Sequence, residues 1–185
     1  VYADSNLVAT VTADGSGNWS VSTSALSSGV HAITATATNG AGNTSSPTGP
    51  YSFTVDTSAL APTFTLVDNA NAVITVGTDD PTPTLLGAAG SAEAGATVIA
   101  YDDTDGAGGN APVVIGTTVA AADGSWSITP TVSLLDGTHS ISATQTDVAG
   151  NTSVPSSASS FTLITNLAVP VINTLTDNVD PLQGT

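Results

Sequence analysis

The chain contains no lysine and no arginine, against fifteen carboxylates in 185 residues, which leaves a formal charge of −15. With no Lys or Arg to pair with, each anionic side chain must be satisfied by solvent, by backbone N–H groups or by bound metal. Nucleic acid is not an expected partner, because binding it needs basic side chains to neutralise phosphate, and the same holds for anionic membrane surfaces. Cysteine is absent, which removes disulfides, thiol catalysis and thiolate metal sites. No apolar run approaches the roughly 18 residues of a membrane span, so direct membrane insertion is not expected, and no basic-apolar leader opens the chain. Aromatic residues are few, at three Phe, three Tyr and two Trp. Any core must therefore be built mainly from Val, Ile, Leu and Ala, and at 40 % apolar residues there is enough of these to build one.

What the chain does have is a repeat. The stretch from Asp123 to Asn151, DGSWSITPTVSLLDGTHSISATQTDVAGN, has a counterpart from Asp14 to Asn43, DGSGNWSVSTSALSSGVHAITATATNGAGN. Trp19 matches Trp126, Leu26 matches Leu134, Gly29 matches Gly137, His31 matches His139 and Asn43 matches Asn151. Beyond the stretch Phe53 corresponds to Phe161 and Ala61-Pro62 to Val169-Pro170, both 108 residues apart. A fixed period sets the folding unit before any local reading. The chain is expected to hold the C-terminal part of one unit at 1–56, a complete unit at 57–165 and the start of a third at 166–185, cut from a longer array.

Within the unit the pattern has period two. His139, Ile141, Ala143 and Gln145 alternate with Ser140, Ser142, Thr144 and Thr146, and the earlier copy sets His31, Ile33, Ala35 and Ala37 against Ala32, Thr34, Thr36 and Thr38. Such alternation is a strand with one face in and one face out. Asp136-Gly137 and Ala149-Gly150-Asn151 bracket it with turn residues. Strands are expected near Pro62 to Val67, Pro83 to Ala88, Ala96 to Tyr101, Val113 to Val119, Ser125 to Thr129, Thr138 to Asp147 and Ser160 to Ile164, with a short edge piece at Val73 to Val76. About seven short strands in a hundred residues, spaced by turns, make an all-β, two-sheet Greek-key sandwich. Short proline-bearing junctions should set successive sandwiches end to end.

The residues PTPTLLGAAGSAEAGATVIAY, IGTTVAAADGSWSITPTVSLLDGTHSISATQTDVAGN and the junction TVDTSALAPTFTL resemble the immunoglobulin-like (Ig-like) tandem repeats of giant bacterial surface adhesins and biofilm-associated proteins. The resemblance covers nearly the whole chain. It implies an extracellular, cell-surface stalk exported by a type I system, whose repeats have one another as first partners and other adhesin or matrix molecules as further ones. It also implies calcium as a stiffener at domain junctions.

The carboxylates suggest where such calcium would sit. At the first junction Asp56 ends one unit and Asp68 follows the first strand of the next, and the turn from Asn39 to Asn43 is expected at the same pole; hard oxygen ligands of this kind suit calcium. At the second junction Ile164 replaces Asp56, while Asp147 stands for Asn39 and Asp177 for Asp68. Asp102, Asp103 and Asp105 begin a loop like a calcium-binding EF-hand, but Val114 occupies the place of its bidentate glutamate, so a solvated hairpin loop is the first reading and a loop calcium site the second.

Catalysis is not expected. His31 and His139 repeat at the start of the long strand, which suits a structural role, and no nucleophile elbow, metalloprotease helix or phosphate loop is present. Glu93 is the single glutamate. Two functional classes remain: a structural extender, and a glycan- or protein-binding module using the copy-specific loop from Asp102 to Pro112.

Overall fold

Twelve strands and no helix form where β-branched and hydroxyl residues alternate with apolar ones, in a computed structural model that describes residues 1–104 and 111–166. In the first copy β1 (Tyr2–Ala3), β2 (Asn6–Leu7), β3 (Gly29–Thr34) and β4 (Tyr51–Val55) make one sheet in the order β2-β1-β3-β4. In the second copy β5 (Thr65–Val67), β7 (Thr84–Gly87) and β10 (Trp126–Ile128) form a three-stranded sheet ordered β10-β7-β5. Facing it is a five-stranded sheet of β6 (Gly77–Thr78), β8 (Thr97–Asp103), β9 (Val113–Val119), β11 (Gly137–Thr146) and β12 (Ser159–Leu163), ordered β6-β12-β11-β8-β9. All pairings are antiparallel except β6 beside β12. The expected all-β sandwich is therefore present, with most strand ends within two residues of their expected places. The edge piece expected at Val73 to Val76 is instead a lone bridge from Val67 to Val73, and the ladder starts at Gly77.

Inward-facing residues of both sheets share one core. Leu66, Leu85, Val98, Ala100, Trp126, Ile128, Ile141, Ala143, Phe161 and Leu163 are buried together, with Leu134 half-buried against them. Trp126 lies flat over Gly87, where a Cβ would stand 2.1 Å from the indole nitrogen, so any side chain at that position would displace the ring. Phe64 meets the same indole edge-on at 6.0 Å between ring centroids. Trp19, its repeat partner, is 53 % exposed, because no counterpart of the β5–β7 ribbon covers it in the described residues. The same tryptophan is thus a core residue in one copy and a surface residue in the other.

β11 spans the complete unit. Its N-terminal end pairs Gly137 with Leu163, the last residue of β12, and its far end pairs Thr146 with Thr97, the first of β8. Ten residues at about 3.4 Å each make it roughly 34 Å long. The expected third unit lies, apart from Asn166, outside the described residues, as do Asp105 and Asp177.

Ile141 is fully buried at the centre of β11. Replacing it by alanine should cost roughly 2 to 4 kcal/mol through lost transfer energy and the cavity left behind, read as a lowered midpoint in a denaturant titration.

Candidate metal centre at the first junction

Three carboxylates converge where the linker enters the complete unit. Asp56 follows β4, Glu93 lies in the turn between β7 and β8, and Asp147 follows β11; one oxygen of each lies within 4.8 Å of the others. Calcium–oxygen bonds of 2.3–2.6 Å put two oxygens on one ion at most about 5 Å apart, so the spacing fits a single ion. Asp56 is exposed, Glu93 intermediate and Asp147 buried.

Each carboxylate is positioned by the chain around it. The Asp147–Asn151 loop closes on itself: the Asn151 N–H donates to Asp147 Oδ1 at 2.8 Å and the Asn151 amide to Asp147 Oδ2 at 2.8 Å. Led by the Asn151 side-chain amide, these donors hold the Asp147 carboxyl below the usual aspartate range. The same Asn151 amide also donates to the Asp56 carbonyl at 3.1 Å, tying the linker to the turn. Glu93 Oε1 accepts the Leu60 N–H at 3.0 Å. Gln145, fully buried on β11, accepts the Glu93 N–H at 2.8 Å and donates to the Leu60 carbonyl at 2.6 Å and to Glu93 Oε1 at 3.3 Å. Linker residues 56–60 are therefore strapped to the pole of the complete unit by three side chains of that unit.

Of the residues expected at this junction, Asp56 is present in the group, and three placements at the junctions need correcting. The Asn39–Asn43 turn is at the other end of its own unit, because Gly29 pairs with Val55 beside the junction and the strand then runs away for about 30 Å before reaching Asn39. Asp147, expected at the second junction for the same reason of register, stands at the first. Sequence spacing identified the turn but assigned it to the wrong pole of the strand. Asp68 is also outside the group: it accepts the N–H groups of Ala70 and Ala72 in a turn of its own after β5. Asp14 and Asn39 do the same with Ser16 and Asn18 and with Ala41 and Asn43. A short side-chain acceptor closing a tight turn recurs along the chain, and it uses acceptor capacity the sequence had suggested for metal.

Asp102 is likewise corrected. It faces inward at 2 % exposure with Oδ2 at 2.7 Å from His139 Nδ1, so it is held by the imidazole and is not a loop ligand. Asp103, next to it on β8, is half-buried. Glu93 and Gln145 are the residues that sequence reasoning missed. The signal for Gln145 was a large amide on the buried face of the long strand where the first copy has Ala37.

Truncating Gln145 to alanine should cost roughly 1 to 3 kcal/mol, since the Glu93 N–H loses its acceptor in a buried place, and should raise amide exchange at Leu60 and Glu93. Because the folded Asp147 carboxyl is held low, its contribution to stability is present above the ordinary aspartate value of about 3.9 and is lost as the pH falls through the lower folded value. An acid titration of Asp147→Asn should lack that component.

The model of the bacterial Ig-like domain family matches the chain twice, at residues 1–57 and 58–165. No curated protein matches it. Among solved structures it is similar to a tetra-tandem repeat in the extending region of a large adhesion protein, at 24 % identity and a TM-score of 0.42, over 83 % of this chain. The chain spans 40 % of the length of that structure. With two in-line matches that together cover most of its residues, the chain belongs to the bacterial Ig-like domain family.

Proposed function

We propose that the chain is an extender segment of a bacterial cell-surface adhesin supporting adhesion and biofilm formation, built from Ig-like units at 1–56 and 57–165 with a third beginning at 166. The observation that carries this reading is the position of the two linkers on the complete unit. The incoming linker is held at the C-terminal end of β11 through Gln145 and Asn151. The outgoing one is held at its N-terminal end, where Asp136 Oδ1 accepts the N–H and hydroxyl of Thr165 at 2.9 and 2.7 Å. Entry and exit at opposite ends of one strand put roughly 34 Å of sandwich between junctions, which suits a unit that adds length. For the solved tandem repeat the extending region is that protein's own description; for this chain the reading rests on these contacts.

Calcium at the first junction belongs to the same proposal. Asp56, Glu93 and Asp147 would hold it, joining the linker to two loops of the following unit. Three converging carboxylates with no Lys or Arg in the chain repel one another, and a divalent ion converts that repulsion into a clamp. Free calcium at about ten times its dissociation constant would stabilise the clamped junction by roughly 1.4 kcal/mol.

A groove of about 540 Å³ lined by Val113, Val114, Ile115, Val132, Leu134 and Leu135 favours a second reading, the protein-binding module. Among the described residues its walls carry no Trp, Tyr or Phe, so a stacked sugar is the less suited occupant.

The experiment is small-angle scattering and calorimetry on the whole chain, with and without calcium. Calcium should bind and lengthen the particle in the wild type. Glu93→Gln keeps an acceptor for Leu60 but removes a charge, and should lose most of both responses. Unchanged calcium heats in that variant would remove the cluster from the site. A particle no longer than one sandwich, with or without calcium, would argue against the extender.

A further inference from the structure

His139 makes two hydrogen bonds that together fix its proton count. Nε2 lies 2.8 Å from the Leu135 carbonyl, and a carbonyl only accepts, so Nε2 carries hydrogen. Nδ1 lies 2.7 Å from Asp102 Oδ2, and that contact also needs a proton between its two atoms. Imidazolium facing carboxylate and neutral imidazole facing carboxylic acid hold the same number of protons, one more than a neutral histidine beside an ionised aspartate. Without that proton, two lone pairs would oppose each other between residues 3 % and 2 % exposed. The other carboxylate oxygen, Oδ1, is buried with no partner among the described residues and offers no relief.

The arrangement is built twice. His31 Nε2 lies 2.8 Å from the Ser27 carbonyl and Nδ1 2.6 Å from Asp4 Oδ2, while Asp4 Oδ1 accepts the Ala32 N–H at 2.9 Å. Here the Ser27 carbonyl and then Asp4 raise the histidine above its ordinary value, and the Ala32 N–H and then His31 hold Asp4 below the usual carboxylate range. Asp4 is 45 % exposed at its side chain, against 2 % for Asp102. The geometry is therefore independent of burial.

In both copies the histidine anchors the residue just before the one that holds the outgoing linker. Leu135 precedes Asp136, which holds Thr165, and Ser27 precedes Ser28, whose hydroxyl lies 2.6 Å from that of Thr57 and accepts the Thr57 N–H at 3.1 Å. Thr57 and Thr165 are the same position of the repeat. We propose that the His–Asp pair is a proton-operated latch: its bridging proton fixes the loop that grips the first residue of the following linker, and loss of that proton at rising pH loosens the junction.

Among the described residues, the other titratable groups around His139 are carboxylates and one phenol. Its sheet neighbour β8 contributes Asp102, Asp103 and Tyr101, and β12 contributes Phe161, stacked at 5.2 Å, and no titratable residue. Across the core β5, β7 and β10 carry none, nor does β9 at the sheet edge. The adjoining loops bring Asp79, Asp80 and Asp136, with Asp136 held low by the Thr165 hydroxyl and N–H. A folded state that holds one more proton than the unfolded chain loses stability as pH rises.

The test is nitrogen NMR of both imidazoles in the whole chain, together with hydrogen exchange at the Thr165 amide corrected for its intrinsic rate. Wherever the Thr165 amide is protected, both ring nitrogens of His139 should carry or share a proton. Thr165 protection should then fall, by about tenfold or more, as that proton leaves. Asp102→Asn offers Nδ1 an uncharged partner, so the pH-dependent fall should vanish while protection at low pH persists. Should that variant not fold, Asp4→Asn makes the same comparison for His31 and Thr57. A bare Nδ1 in the wild type while Thr165 is still protected, or the same pH response of Thr165 in the variant, would overturn the latch.

Discussion

A chain without lysine or arginine has to satisfy its carboxylates with whatever else can donate. In this protein the donors are backbone N–H groups, hydroxyls, amides and two imidazoles. Asp14, Asp68 and Asp147 each close a tight turn on N–H groups two to four residues ahead. Asp123 takes the N–H and hydroxyl of Ser125, which hold its carboxyl low. These bonds are local and do not depend on tertiary packing, so these acidic residues shape the turns. Charge-assisted bonds of this kind are stronger than neutral ones, which is one reason a composition so rich in small polar residues still folds into defined hairpins.

Where local donors do not suffice, carboxylates are used between elements, and those places are the ends of the unit. Asp102 meets His139 at one pole and Asp136 holds Thr165 beside it, while Asp56, Glu93 and Asp147 gather at the other. Between the poles runs β11, whose inward face changes from His139 through Ile141 and Ala143 to Gln145. The apolar middle anchors the strand in the core; at one end Gln145 bonds the incoming linker, and at the other His139 bonds the loop whose next residue holds the outgoing one. A single strand thereby joins core stability to junction geometry.

The two copies show how much context decides. Trp126 fills the space above Gly87 in a complete sandwich, whereas Trp19, at the matching place, remains on the surface. His31 and His139 keep the same two bonds in both settings, because their partners belong to the turn after β1 or to β8, and to the loop just before the long strand. Packing against the opposite sheet is what differs.

Period and turn chemistry made the architecture readable in advance: the 108-residue spacing, the alternation from His139 to Thr146 and the glycine turns are all local signals, and local signals survive in a linear string. The sites did not follow, because they depend on which end of a strand faces which neighbour. Asn39 and Asp147 were recognisable as turn residues, yet only the antiparallel register of β3 with β4 and of β11 with β8 decided that Asn39 stands far from Asp56 and Asp147 close to it. Asp102 read as a loop acid until the pleat turned it inward onto His139. Glu93 and Gln145 are 52 residues apart and met only when β11 came beside the turn after β7. The sequence by itself determined the strands, their period and the repeat, since these arise from neighbours along the chain; the tertiary structure decided the poles, since a side chain's position across a sandwich depends on register and strand direction.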